Sequence, residues 1–135
     1  MRVMAIDYGD ARTGIAVSDL MNMMTGDAFV ITDWNPETIS DKIAAEAKIR
    51  GVGTLVLGLP KNMDGTVGER AEKCLAFSDL LKAKTNLPVI MWDERRTTVD
   101  AHRILHTNGK KMKNHKKNVD AVAASLILEG YLASI

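Results

Sequence analysis

The sequence predicts a mixed-sheet α/β domain with helices covering both faces. Three strand patterns follow one another between Val3 and Thr32 with only short breaks, which favours an antiparallel meander. Two later apolar runs, Thr54–Leu57 and Val89–Trp92, are separated by long helical patterns. Their crossover connections make them parallel to the first strand. Helical patterns between and after these runs supply the covering layers. The 135 residues fit one domain, residues 1–135, with a single core of ordinary size.

The elements follow in order. Val3–Ile6 is a buried strand ending in Asp7, and Tyr8–Gly14 reads as a Gly-containing turn into a second strand, Ile15–Val17. After a loop over 22–26, Asp27–Thr32 forms the third strand. Asn35 caps the first helix and Pro36 opens it, with Ile39, Ile43, Ala44 and Ala47 on its apolar face and Gly51 at its end. Thr54–Leu57, between Gly53 and Gly58, is a buried central strand. A turn-rich loop from Leu59 to Thr66 leads to a helix from about Val67 to Lys84, bearing Ala71, Cys74, Leu75, Ser78 and Leu81 and stopped by Asn86 and Pro88. Val89–Trp92 runs into Asp93-Glu94-Arg95-Arg96, and Thr97 caps a helix that ends at Asn108-Gly109. A lysine-rich stretch, Lys110–Lys117, precedes a last helix whose apolar face carries Val119, Val122, Ala123, Leu126, Ile127 and Tyr131.

Composition excludes several classes. Hydrophobic content of 46% with 26% charged residues describes a globular chain, not a disordered one. Aromatics make up 4%, so the core is aliphatic with Met as filler, and Met21, Met23 and Met24 are assigned to it. Scarce aromatics also disfavour extended base-stacking platforms. The single cysteine, Cys74, rules out an internal disulfide. The first residues already read as strand and no apolar run is long enough to span a bilayer, so a cytoplasmic protein without membrane contact is expected.

Chemistry gathers at one rim. Ligands bind outside the carboxyl ends of parallel strands. Those ends carry Asp7, Gly58-Leu59-Pro60 and Asp93-Glu94, and the last helix opens with Asp120 beside Ala121, Ala123 and Ala124, small enough for close packing. A carboxylate ending an apolar strand is costly unless paired or cation-bound. Gly9 would let backbone or ligand approach Asp7; a plain turn cap by Asp7 is the alternative. The histidines lack zinc-ligand spacing, and His102 with His106 read as solvated helix residues. An all-oxygen acidic cluster suits Mg²⁺ or Mn²⁺, and two such ions can clamp an in-line phosphoryl displacement. Lys110, Lys113, Lys116 and Lys117 flank Asp120 and favour a polyanion held through its phosphates, with Arg12, Arg95 and Arg96 adding bidentate contacts. A solvated charged loop, and Asp93 paired with a neighbouring arginine, are the plainer readings.

Asp7-Tyr8-Gly9 with Arg12-Thr13-Gly14-Ile15-Ala16-Val17-Ser18-Asp19 resembles the N-terminal signature of the YqgF (RuvX) family. Val56–Pro60 with Asp64-Gly65 and Gly68, Trp92–Arg95 with Thr97-Thr98, and Asp120–Ala124 with Ile127-Leu128 resemble its later blocks, in the family's order and over nearly the whole chain. Arg96 departs from the family's usual aliphatic residue. The resemblance implies an RNase H-like fold related to the Holliday-junction resolvase RuvC. It also implies a role as a pre-16S rRNA nuclease in ribosome maturation, or as a junction resolvase. It makes Asp7, Glu94 and Asp120 the metal-binding acids, with Asp93 as the alternative to Glu94.

The resulting expectation is a divalent-metal endonuclease, using two ions, that cleaves structured RNA associated with pre-ribosomal particles. Resolution of branched DNA, which calls for a dimer, is a second reading. A phosphotransferase is a third, because Asp-x-Gly also opens the nucleotide site of sugar-kinase-like folds. A non-catalytic nucleic-acid or ribosome-associated factor is a fourth.

Overall fold

The computed structural model describes residues 1–60, 68–93 and 119–135. Five strands form one sheet: β1 (Arg2–Asp7), β2 (Arg12–Ser18), β3 (Thr25–Thr32), β4 (Val52–Leu59) and β5 (Val89–Asp93), in the spatial order β3-β2-β1-β4-β5. The pairs β1/β2 and β2/β3 are antiparallel, and β1/β4 and β4/β5 are parallel. This is the expected meander extended by two parallel strands. The C-terminal ends of β1, β4 and β5 therefore share one rim with the start of β2.

Three described helices cover the sheet: α1 (Pro36–Arg50), α2 (Glu69–Thr85) and α3 (Val119–Ser134). Local chemistry sets their ends. Asn35 accepts the Glu37 N–H at 3.0 Å, and Pro36 starts α1. Gly51 closes α1 in the left-handed region at φ 69°, and Asn86 closes α2 at φ 57°, each donating its backbone N–H back to the last turn. The predicted helix after Thr97 and the Lys110–Lys117 stretch lie outside the described residues.

Strand alternation divides the core in two. On one face Met4 and Ile6 of β1 and Ile15 and Val17 of β2 pack under Ile39 and Ile43 of α1 and Cys74, Phe77 and Leu81 of α2. On the other, Val3, Ala5, Ala16, Val56 and Trp92 meet Ala124, Ile127 and Leu128 of α3.

Several sequence expectations are corrected here. β2 begins at Arg12, so Gly14 is a strand residue and not part of the turn. Leu75 is 40% exposed; its place on the buried stripe of α2 goes to Phe77. The buried positions of α3 are Ala121, Ala124, Leu126, Ile127 and Leu128, while Val119 is exposed. Eleven of the 16 residues of α3 are apolar, so its few polar residues marked the outer face only weakly. Met21, Met23 and Met24 are exposed together with Leu20, because they occupy the β2–β3 connection beyond the end of the sheet. Ser18 is structural: its hydroxyl accepts the Val3 N–H at 2.9 Å and donates to Asn22 Oδ1 at 2.6 Å.

Candidate active site at the sheet rim

The site is built on Gly14. In the β1/β2 ladder Gly14 stands opposite Asp7. Directly paired residues point to the same face. Val3 and Ala5 face α3, so Asp7, next in phase, does too. On that face Gly14 meets the first turn of α3. A Cβ at residue 14 would lie 1.9 Å from the Asp120 carbonyl oxygen and 3.1 Å from the Ala121 nitrogen. Only a residue without a side chain lets helix backbone rest on the strand at this point. Asp7 and Asp120, 113 positions apart in the sequence, are thus both immediate backbone neighbours of one glycine. The N-terminal turn of α3 also brings the positive end of its dipole to the same place.

Small residues extend this contact along α3. Ala121 and Ala124 are buried against the sheet, as their size predicts, while Ala123 is only partly covered. Arg12 is exposed at the start of β2 and, two residues before Gly14, lies on the Asp7 face. A cation therefore stands on the same rim and face as the acidic residues.

Asp93 ends β5 opposite Leu59 of β4, on the same rim. Its phase is the other one. Trp92 packs with the α3-facing cluster and Met91 with the opposite cluster, so Asp93 follows Met91 to the α1/α2 face. Glu94, Arg95, Lys110, Lys113, Lys116 and Lys117 lie outside the described residues. Among the described residues, no three His, Cys, Asp or Glu side chains stand together as a metal-binding group.

Gly9 serves the turn. A Cβ there would lie 2.2 Å from the Arg12 carbonyl oxygen, so its lack of a side chain lets the chain close tightly between β1 and β2. Tyr8 turns to the α1/α2 face, where its ring stacks on Phe77 at 4.0 Å between centroids and 7° between planes. Arg70 Nη2 donates to the Tyr8 carbonyl oxygen at 3.0 Å and ties α2 to the end of β1. Burial, then the Asp10 carboxylate and Cys74, raise the Tyr8 phenol above its ordinary 10.0, against a smaller opposing pull from Arg70. The part played by Gly14 was not read from the sequence; the signal available was a glycine breaking an otherwise regular strand pattern.

Comparison with known proteins bears on the fold and the family. The RuvX family model, described as Holliday junction resolvase, matches residues 1–134. A protein of Acetivibrio thermocellus named "Putative pre-16S rRNA nuclease" is 46% identical over 137 residues, covering 99% of this chain and 96% of the relative. T. thermophilus RuvC in complex with Holliday junction substrate superposes with a TM-score of 0.67 at 11% identity, covering 99% of this chain and 96% of that one. Fowlpox virus resolvase with substrate Holliday junction DNA gives 0.63 at 14% identity, covering 99% and 98%. The two structures establish the RuvC-like, RNase H-type fold. No helix among the described residues is long and apolar enough to cross a membrane. From the near-complete family match and the identity to nuclease-named relatives, the chain belongs to the RuvX family and is an enzyme of its ester-hydrolysing class.

Proposed function

We infer that the protein is a divalent-metal endonuclease that cleaves phosphodiester bonds in structured RNA, acting on precursor 16S rRNA within pre-ribosomal particles in the cytoplasm. The observation that carries this reading is the convergence of Asp7 and Asp120 on Gly14. Curated relatives at 46% and 43% identity carry the name "Putative pre-16S rRNA nuclease", which supports the choice of RNA.

The donor set fits hard cations, since the residues brought together offer carboxylate oxygens and no thiolate or imidazole. Asp7, Asp120 and Glu94 would hold two Mg²⁺ or Mn²⁺ ions. Asp93 is the weaker candidate for the third ligand because it faces away from Asp7. The ions would supply an activated water and charge stabilisation at the leaving oxygen. The chain's own part is positioning. Gly14 sets how near the two acids come. Arg12 contributes a planar donor fork for a phosphate on that face. Arg95, Lys110, Lys113, Lys116 and Lys117 would hold flanking backbone by charge, giving affinity that falls steeply with salt.

Asp7→Asn tests the reading. It should abolish Mg²⁺- or Mn²⁺-dependent cleavage of a precursor rRNA fragment while leaving thermal stability and RNA affinity close to the parent. Parent-like cleavage by that variant would remove Asp7 from the site. Resolution of branched DNA is the second reading, favoured by the family model's description and by the two resolvase structures of the same fold. Paired cuts on a four-way junction by a dimer, with precursor rRNA left whole, would select it.

A further inference from the structure

On the far side of β1 from Asp7 lies a groove of about 600 Å³. It is lined by Tyr8, Trp34, Pro36, Phe77 and Leu80, with the exposed Lys73 and Asp10 side chains at its lip. We propose that this groove seats one unpaired nucleobase of the strand presented to the Asp7 rim, an inference that rests on the nuclease reading above.

The aromatic content of the chain is low but concentrated. Of its two Trp, two Tyr and two Phe, three residues line this one groove. Trp34 is 75% exposed, so the fold leaves an indole face in water at the groove wall. Phe77 is 2% exposed and holds the Tyr8 ring parallel to its own, which presets that wall before any ligand arrives. A flat heterocycle is what such walls accept, and stacking is tolerant of base identity because every base has a π-face.

The lip chemistry favours a base over a phosphate. Lys73 Nζ lies 3.8 Å from Asp10 Oδ1 and both side chains are more than half exposed, so this pair is close to neutral, with the Arg70 guanidinium held nearby on the Tyr8 carbonyl. Together they offer N–H donors and carboxylate acceptors, suited to the mixed edge of a base. An isolated phosphate would meet the Asp10 carboxylate as well as the lysine. Position supplies the last argument. Tyr8 directly follows Asp7 and faces the opposite side of the sheet. A strand crossing the end of β1 therefore passes both residues, with the base turned to one side and the backbone left at the acidic side. The groove thereby predicts a preference for a strand carrying an unpaired base over continuous duplex.

The test uses the full chain without divalent metal, so that nothing is cleaved. Two hairpin RNAs are compared, one with a single bulged 2-aminopurine and one fully paired. The parent should bind the bulged hairpin more tightly and quench its 2-aminopurine emission. Trp34→Ala should weaken bulged-hairpin binding about five- to a hundredfold and leave paired-hairpin binding unchanged. Trp34→Phe should restore most of the loss. Unquenched 2-aminopurine, or equal affinity of parent and Trp34→Ala for the bulged hairpin, would overturn the proposal and leave the nuclease reading intact. A parent that bound neither hairpin would overturn both.

Discussion

Replacing Gly14 with alanine is the sharpest perturbation available, because it leaves both carboxylate side chains in place yet should separate them. The added methyl would begin 1.9 Å from the Asp120 carbonyl oxygen and 2.4 Å from its carbonyl carbon. Both atoms are backbone, so no rotamer change relieves the clash. Ordinary contact at about 3.4 Å requires the first turn of α3 to move by about 1.5 Å. Overpacking of this kind costs about 1–3 kcal/mol of stability, and a misplacement near 1 Å in a reacting constellation costs about a hundredfold in rate. The expected result is a folded protein of lower Tm with cleavage reduced about a hundredfold. Gly51→Ala is the matched control. Its φ of 69° strains an L-residue, but nothing lies within 4 Å of the new Cβ, so stability should fall by about 1 kcal/mol with cleavage intact. Cleavage rates under saturating Mn²⁺ and thermal melts of all three proteins make the comparison. If Gly14→Ala cleaved like the parent, the closeness of Asp7 and Asp120 would have no catalytic meaning.

The fully buried Thr13 hydroxyl has no hydrogen-bond partner among the described residues, so Thr13→Val should leave stability unchanged or raise it by about 1 kcal/mol; a clear loss in a urea melt would reveal a partner. The folded state holds the Tyr8 proton more tightly than the unfolded chain, so Tyr8 contributes stability that is whole below pH 10.0 and declines as pH rises through the raised folded value. The parent's Tm should therefore fall more steeply than that of Tyr8→Phe across this interval, and equal slopes would contradict the stated shift. Asp93→Asn should spare cleavage and Glu94→Gln should suppress it; the reverse pattern would mean that strand phase misidentifies the third ligand.

Much of the fold was legible because its causes are local. Asn35, Pro36, Gly51 and Asn86 mark helix ends through hydrogen bonds and φ values decided within a few residues. The apolar runs at Val3–Ile6 and Leu55–Leu57 declared buried strands, and the long connections between the later runs required parallel pairing. The family blocks also named Asp7 and Asp120 as acids worth following. Side choice was less accessible. The exposure of Met21, Met23 and Met24 depends on where the β2–β3 connection leaves the sheet, which their hydrophobicity does not encode.

By itself the sequence determined the order of elements, their capped ends and the positions of the acidic residues, since these follow from short-range sterics and hydrogen bonding. Only the tertiary structure decided which acidic residues flank the same strand position. Gly14 became the contact point once β2 paired with β1 and α3 settled on that pair, and strand phase then sent Asp7 and Asp93 to opposite faces. Such proximity depends on register and on helix-to-sheet packing distance, which arise between segments remote in the chain and leave no periodic trace in either one.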